Sequence, residues 1–318
     1  MMNGLNKRFA CWLLVCAFLL TASTTAFAQG QTRDHTPDFA AQSELEEVAA
    51  ELEELWAENP HVFRQLAAIR GAVVETHIQS GYRPINVARY LDGIDEDAIL
   101  VLLWALAVEE PRALGMELQT WRMWRIGLLE ALGRLRDERS IPVLQSLIED
   151  EPFPSVRQAA TSALGRLDDE QSIAAAIEVA RMSPEKRDAI VAGLGNARRQ
   201  VALDYLMEVL GAADNTEEQR KAVRAIGDWA NQWAWQTSSR EAYRGEGQKG
   251  RQRIIDRLVD LYPSAGEEVR AEIKKSLQLA GAAHSEQRAT QRADAATDPA
   301  VRADLMDLAA KMAQSPMD

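Results

Sequence analysis

From residue 118 onward, apolar and polar positions alternate with a helical period. In SVRQAATSALGRL, Val156, Ala159, Ala160 and Ala163 stand at i, i+3, i+4 and i+7, the stripe of one helix face. A charged turn follows, and behind it a second periodic run, SIAAAIEVA. The same order appears in LLEALGRLRDERSIPVL, where Ser140 is placed to cap a second helix and Pro142 falls in its first turn, where proline is tolerated. Gly133, Gly165, Gly195 and Gly227 recur at steps of 32, 30 and 32, each behind a Leu or Ile. A helical hairpin of this length cannot bury its apolar face alone, so the period predicts stacked copies sharing one core.

A column of arginines runs in parallel. Arg125, Arg157 and Arg187 each stand eight residues before a glycine of the column, and Arg220 is one place out of step. Arg270 and Arg302, 32 apart, repeat the Val-Arg pair of SVRQ. Charges at equivalent positions are what stacked copies produce. The expectation is a structural ladder in which each arginine bonds a turn acid such as Asp137 or Asp169 of a neighbouring unit, rather than a row of anion sites.

On these residues VRQAATSALGRLDDEQSIAAAIEVA resembles the HEAT-like repeat family, including the subgroup shared with phycobilin lyases. The resemblance spans residues 119–318 and is best at 155–181. It implies an all-α fold, an α-solenoid of HEAT-like helical hairpins, used as a protein-binding scaffold. It implies no lyase activity, because no bilin site is matched.

The arginine column also measures an interruption. Arg220 to Arg270 is 50 residues, and the excess over one period equals the length of QTSSREAYRGEGQKGRQR, residues 236–253. This reads as an insertion between the two helices of one repeat. Gly245, Gly247 and Gly250 predict a mobile loop rather than a helix. Arg240, Arg244, Lys249, Arg251 and Arg253 outweigh Glu241 and Glu246, so the segment is basic. Trp229 and Trp233, three and seven residues after Ile226, continue the buried stripe, whereas Trp235 leaves it. Trp235, Arg240, Tyr243, Arg244, Lys249 and Arg251 are therefore the candidate partner-binding residues, since aromatics and arginine concentrate at interface hot spots. The rival reading is a disordered loop folded over the protein's own acidic surface.

Residues 43–118 keep the helical period but not the repeat, and are expected to form a helical cap region. Ser43-Glu44-Leu45-Glu46 is a capping-box sequence. It opens a helix with Leu45, Val48, Ala49, Leu52, Leu55 and Trp56 on one face. Three further runs, PHVFRQLAAIRGAVVETHIQSG, RPINVARYLDG and DEDAILVLLWALAVEEP, read as helices. AILVLLWALAV is apolar all round, which marks a central buried helix and is too short to span a membrane. Trp104, Trp121 and Trp124 are placed to anchor the junction with the repeats.

The start of the chain changes the compartment. Lys7 and Arg8, the apolar run from Phe9 to Leu20 and Ala26-Phe27-Ala28 form a secretory signal peptide, residues 1–28, cleaved near Ala28. A lipobox reading of Leu13-Leu14-Val15-Cys16 is weaker, since valine precedes the cysteine and the apolar run continues past it. A periplasmic or secreted protein is expected, with residues 29–42 as a flexible leader. Cys11 and Cys16 are the only cysteines, so the mature chain has neither disulfide nor thiolate. The chain carries −12, and loss of two basic residues with the signal peptide leaves −14. Such a balance repels nucleic acid.

Motifs for chemistry are missing. His35, His61, His77 and His284 have no second ligand at metal-site spacing, and neither a nucleophile elbow nor a phosphate loop is present. Asp92 to Asp97 lacks the ligand order of an EF-hand, and Asp95 reads as an N-cap. Glu149 to Glu151 reads as a solvated turn. The sequence thus points to a non-enzymatic scaffold or adaptor, without cofactor or metal, for another protein or an envelope component. The alternative is an enzyme, or an enzyme's accessory subunit, with its site in the N-terminal helical region.

Overall fold

A computed structural model describes residues 57–94, 98–108, 116–236 and 244–314. The signal peptide, the leader, the predicted helix at 43–56 and the acids at 95–97 lie outside them. Among the described residues every regular element is helical, and the fold class is an all-α solenoid of helical hairpins. By packing, the chain divides into two units, Met1–Ala163 and Leu164–Asp318.

The first unit contains α1 (Pro60–Gln79), a short 3-10 helix (Val87–Leu91), α2 (Ile99–Val108), α3 (Leu118–Leu135) and α4 (Ile141–Asp150). It also holds most of α5 (Pro154–Leu167). The α2 run is buried from Ala98 through Leu106 except at Leu100 and Trp104, which are half-buried, as its unbroken apolar sequence requires. Trp104 stands edge-on to Phe63 at 5.2 Å, and Trp121 and Trp124 are buried in α3. His77 is fully buried, and its Nδ1 bonds the Thr120 hydroxyl at 2.8 Å, joining α1 to α3. RPINVARYLDG forms only the 3-10 turn, because Pro84 and Gly93 leave too few residues between them for a full helix.

Two local expectations are corrected in this unit. Ser140 does not cap α4: it belongs to a 3-10 turn, Glu138–Ser140, whose own cap is Asp137, and its hydroxyl donates back to the Asp137 carbonyl. Glu151 is no solvated turn residue. Extended backbone at Glu151 turns its carboxylate beneath α3, where it meets Arg125 at 2.8 Å, the two side chains 1 and 7 % exposed. Burial pushes the Glu151 carboxyl up while Arg125 pulls it down, and the Arg125 guanidinium also lies over the Trp121 ring at 4.6 Å.

The second unit continues with α6 (Glu170–Met182), α7 (Pro184–Leu194), α8 (Gln200–Ala212) and α9 (Thr216–Ala230). After a 3-10 turn (Gln232–Gln236) come α10 (Arg244–Leu261), α11 (Glu267–Ala295) and α12 (Pro299–Ala313). α11 is two helices in one, broken at Gly281, whose φ of 131° other residues rarely adopt. First helices pack on first helices, α7 on α9 and α9 on α11; second helices do likewise, α6 on α8, α8 on α10 and α10 on α11.

In the second unit, Gly195 and Gly227 of the glycine column are explained by these crossings. A Cβ at Gly195 would sit 2.9 Å from the Ala225 carbonyl oxygen, and one at Gly227 would sit 2.3 Å from Ser276 Oγ and 2.9 Å from its Cα. Each glycine is where one repeat touches the next.

The arginine column is structural, but its partners differ from those expected. Arg157 donates to the carbonyls of Ile148, at 2.9 Å, and Glu151. Arg302 donates to those of Ala293 and Ala296, at 3.3 and 2.7 Å. Arg270 reaches the carbonyls of Pro263 and Ala265 before it meets Asp304 at 2.8 Å. These three arginines close the end of the preceding helix, whose last carbonyls lack intrahelical donors and carry the negative end of the dipole. By contrast, Arg125 meets Glu151, Arg187 reaches Glu218 of the next repeat at 3.6 Å and Arg220 pairs with Glu217 of its own helix. Asp137 instead pairs with Arg139, and Asp169 caps its own helix through the Ser172 N–H.

Ion pairs then stitch adjacent repeats on both layers. Asp188 meets Lys221 at 2.7 Å and Arg224 meets Glu272 at 2.9 Å between first helices. Arg181–Glu208, Arg253–Asp204, Arg288–Asp256 and Arg292–Asp260 do so between second helices.

Gly227→Ala is expected to cost about 1–3 kcal/mol through overpacking against Ser276. Gly211→Ala in α8, where nothing lies within 4 Å of the added methyl, is expected to be neutral or to stabilise by up to about 1 kcal/mol. Urea unfolding of the two variants separates these signs. A second expectation concerns pH. The hydrogen bonds from Arg224 hold the Glu272 carboxyl below the usual carboxylate range. A carboxyl lowered on folding stabilises above its unfolded pKa, and this is lost as pH falls through the folded value. Arg224→Gln should therefore cost about 1 kcal/mol at neutral pH, and the deficit should narrow as Glu272 is protonated. Unfolding midpoints from neutral pH into the acid range measure it.

Candidate partner-binding surface

The tryptophan-rich segment DWANQWAWQ and the glycine-spaced RGEGQKG form one packed element. α9 ends at Ala230, and Asn231 leaves the helical region while its side chain accepts from the Trp233 N–H at 3.0 Å. A helical period cannot continue past that point, and the expectation for the two later tryptophans is reversed. Trp233 is 54 % exposed, whereas Trp235, carried round by the 3-10 turn, is 3 % exposed. Trp229 is buried as its spacing predicts. The Trp235 indole N–H donates to the Trp229 carbonyl at 3.0 Å, and the two rings meet edge-on at 5.0 Å.

The expected loop is also corrected where it is described. Residues 244–253 are helical, the opening turns of α10, which has 18 residues against 13 in each of α6 and α8. Two of the three glycines that suggested a loop are contacts, and Gly245 is open. A Cβ at Gly247 would lie 2.5 Å from the Trp235 ring, and one at Gly250 would lie 2.3 Å from the Trp229 ring. Each glycine costs a helix about 1 kcal/mol relative to alanine, whereas burying an indole of ~200 Å² stabilises by on the order of 5 kcal/mol. Packing wins over local propensity, and the helix forms.

Of the six candidate residues, Trp235 belongs to the core, and Arg240 and Tyr243 lie outside the described residues. Arg244 opens α10, but its side chain is not among those described. Lys249 is exposed and Arg251 half-buried. Burial alone pushes the Arg251 guanidinium below the usual arginine range, with no acid opposing it. Sequence reasoning missed the exposed Trp233. It also missed a polar groove of about 250 Å³ between α10 and the second half of α11, where Gln252, Ile255 and Asp256 face His284, Gln287 and Gln291. Its residues repeat at helical spacing on each helix, but only the register of α10 against α11 brings them together.

In the first unit a groove of about 640 Å³ runs along α1, lined by Ala67, Gly71, Val74, Ile78 and Met116 with Arg70 and Glu75. Among the described residues no helix is long and apolar enough to cross a membrane, and no group of three or more His, Cys, Asp or Glu could hold a metal ion.

Gly250→Ala is expected to lower stability by about 1–3 kcal/mol, although the same change in an open helix would raise it. The Trp229 ring is fully buried and its N–H is bonded to the Arg199 carbonyl, so it cannot swing aside. Denaturant unfolding followed by tryptophan fluorescence measures the loss.

Residues 123–184 match the family of HEAT repeats, a stretch that covers α4, α5 and α6 with most of α3. No curated protein matches the chain.

Proposed function

We propose that this repeat protein is an exported, non-enzymatic scaffold or adaptor. It binds another protein or an envelope component through its repeat surface and the helical ledge that the 236–253 insertion builds. HEAT repeats commonly serve as protein-interaction scaffolds, and a long insertion in one repeat tends to mark the binding face. The observation that carries the reading is the lengthened α10. It is held on Trp229 and Trp235, and it stands beside the exposed Trp233 while presenting Lys249 and Arg251. The basic, aromatic character of this ledge contrasts with a chain of net charge −12. The charged n-region, apolar run and Ala26-Phe27-Ala28 of the first residues support export to a periplasm or to the medium. The likeness to repeats shared with phycobilin lyases is one of repeat sequence, and no bilin chemistry is carried over.

A second reading is an enzyme or accessory subunit with its site among residues 43–118, which the groove along α1 favours.

Deleting 236–253 would remove Gly247 and Gly250 with their tryptophan contacts, so substitutions on the ledge surface are the sounder test. Wild type and a Trp233→Ala, Lys249→Glu variant of equal thermal stability are used to capture partners from the native envelope extract. Depletion of a partner by about tenfold or more in the variant is expected, the loss of one or two contacts of about 1–2 kcal/mol. Equal recovery would remove the ledge from the interface, and no partner with either protein would bring the enzyme reading forward. N-terminal sequencing of the recovered protein is expected to begin near Gln29; an intact Lys7–Arg8 segment would reject export.

A further inference from the structure

Two facts about the α10–α11 groove have no structural explanation. The first is Arg251. Three neighbouring arginines are neutralised across repeats, Arg253 by Asp204, Arg288 by Asp256 and Arg292 by Asp260, while Arg257 is exposed to solvent. Arg251 is half-buried, yet among the described residues no carboxylate, carbonyl or ring meets it. Taking a guanidinium partly out of water without a partner costs free energy, and a fold that needed only packing there would carry an apolar side chain.

The second is the lining. The pairs Asp256–Arg288 and Asp260–Arg292 fix α10 and the second half of α11 as parallel, with an offset of 32 residues. Gln252 therefore stands level with His284. Arg251 directly precedes Gln252 and stands one turn before the groove residue Ile255, at the groove's N-terminal end, level with Ala283 and two residues past the break at Gly281. Gln232 of the 3-10 turn reaches the same place, its side-chain oxygen 3.6 Å from where a Gly281 Cβ would be. Along the groove, Gln252 and Gln287 have no hydrogen-bond partner among the described residues, and Gln291 accepts only from Arg288, at 3.5 Å. From His284 to Gln291 the groove runs about 10 Å along the helices, the length of about three extended residues. Within the groove Asp256 is matched by Arg288, and Arg251 at its N-terminal end adds one positive charge that no described acid meets.

We infer that this groove binds a short extended segment of a partner protein, with an acidic side chain on Arg251 and backbone amides bonded by Gln252, Gln287 and Gln291. The inference rests on the scaffold reading and narrows its partner to one with an exposed acidic segment. Side-chain amides offer a donor and an acceptor together, the pattern that a peptide backbone complements, and a guanidinium matches a carboxylate with two parallel bonds. A long polyanion fits less well, because one excess charge is set in a chain of net charge −12.

The test uses the mature protein and a fluorescent hexaglutamate peptide, with binding read by anisotropy at low salt. Wild type is expected to bind, more weakly as salt is raised, and Arg251→Gln to bind about tenfold or more weakly, the usual effect of losing a hydrogen bond between charged groups. Arg257→Gln, which removes the same charge from another face of α10, is expected to leave the affinity within about twofold. The thermal midpoint of Arg251→Gln should stay level or rise, because a partly desolvated cation is removed. A fall in the midpoint would make Arg251 a structural residue and overturn the inference, as would absent binding by wild type or equal binding by Arg251→Gln. Binding of polyphosphate or of an oligogalacturonate through Arg251, with none of hexaglutamate, would overturn the peptide assignment. If Arg251→Gln recovers the same envelope partner as wild type, this site fails while the scaffold reading stands.

Discussion

The structure depends on how closely one helical hairpin can approach the next. A pair of amphipathic helices has more apolar surface than it can cover by itself, and the second unit resolves this by laying first helices on first helices and second on second. The approach is set by Gly195 and Gly227, where even one methyl group would meet backbone or Cβ atoms of the following repeat. Burial of Val223, Ile226, Ile273 and Leu277 follows from that distance, as does the reach of the ion pairs on both layers.

Polar groups complete what the apolar faces begin. Arg157, Arg270 and Arg302 close the ends of preceding helices by donating to carbonyls that would otherwise be unmatched. Arg125 has the same place in the glycine-column spacing but a different task, pairing with Glu151 under Trp121. A repeat keeps a charge at one position and lets the local turn decide what it bonds. The Arg181–Glu208 and Arg292–Asp260 pairs are exposed, so each contributes little by itself; their value is in fixing which residues of neighbouring helices stand level.

The repeat with the lengthened α10 shows how the same physics makes a surface. Lengthening α10 required a way to hold glycine-rich turns as helix, and the rings of Trp229 and Trp235 supply it by filling the space that side chains at 247 and 250 would occupy. The consequence is a rigid ledge where composition suggested a loop. It borders a groove where, among the described residues, Gln252 and Gln287 have no hydrogen-bond partner and the neighbouring Arg251 meets no acid.

The chain's periodicity by itself determined the helices, the hairpin unit and the burial of α2 and Trp229. These follow from spacing, and spacing is local. The sequence also marked Lys249 and Arg251 by charge, but it put Trp235 at the surface and Trp233 in the core, because a helical period was carried past Ala230, where the backbone turns away. It read Gly247 and Gly250 as breakers, since propensity cannot register a tryptophan arriving from another segment, and Glu151 as solvated, since nothing near it in sequence foretells Arg125 overhead. The groove between Gln252 and His284 was decided by tertiary structure alone: it exists through the offset of two helices, and that offset is set by pairs of residues 32 positions apart.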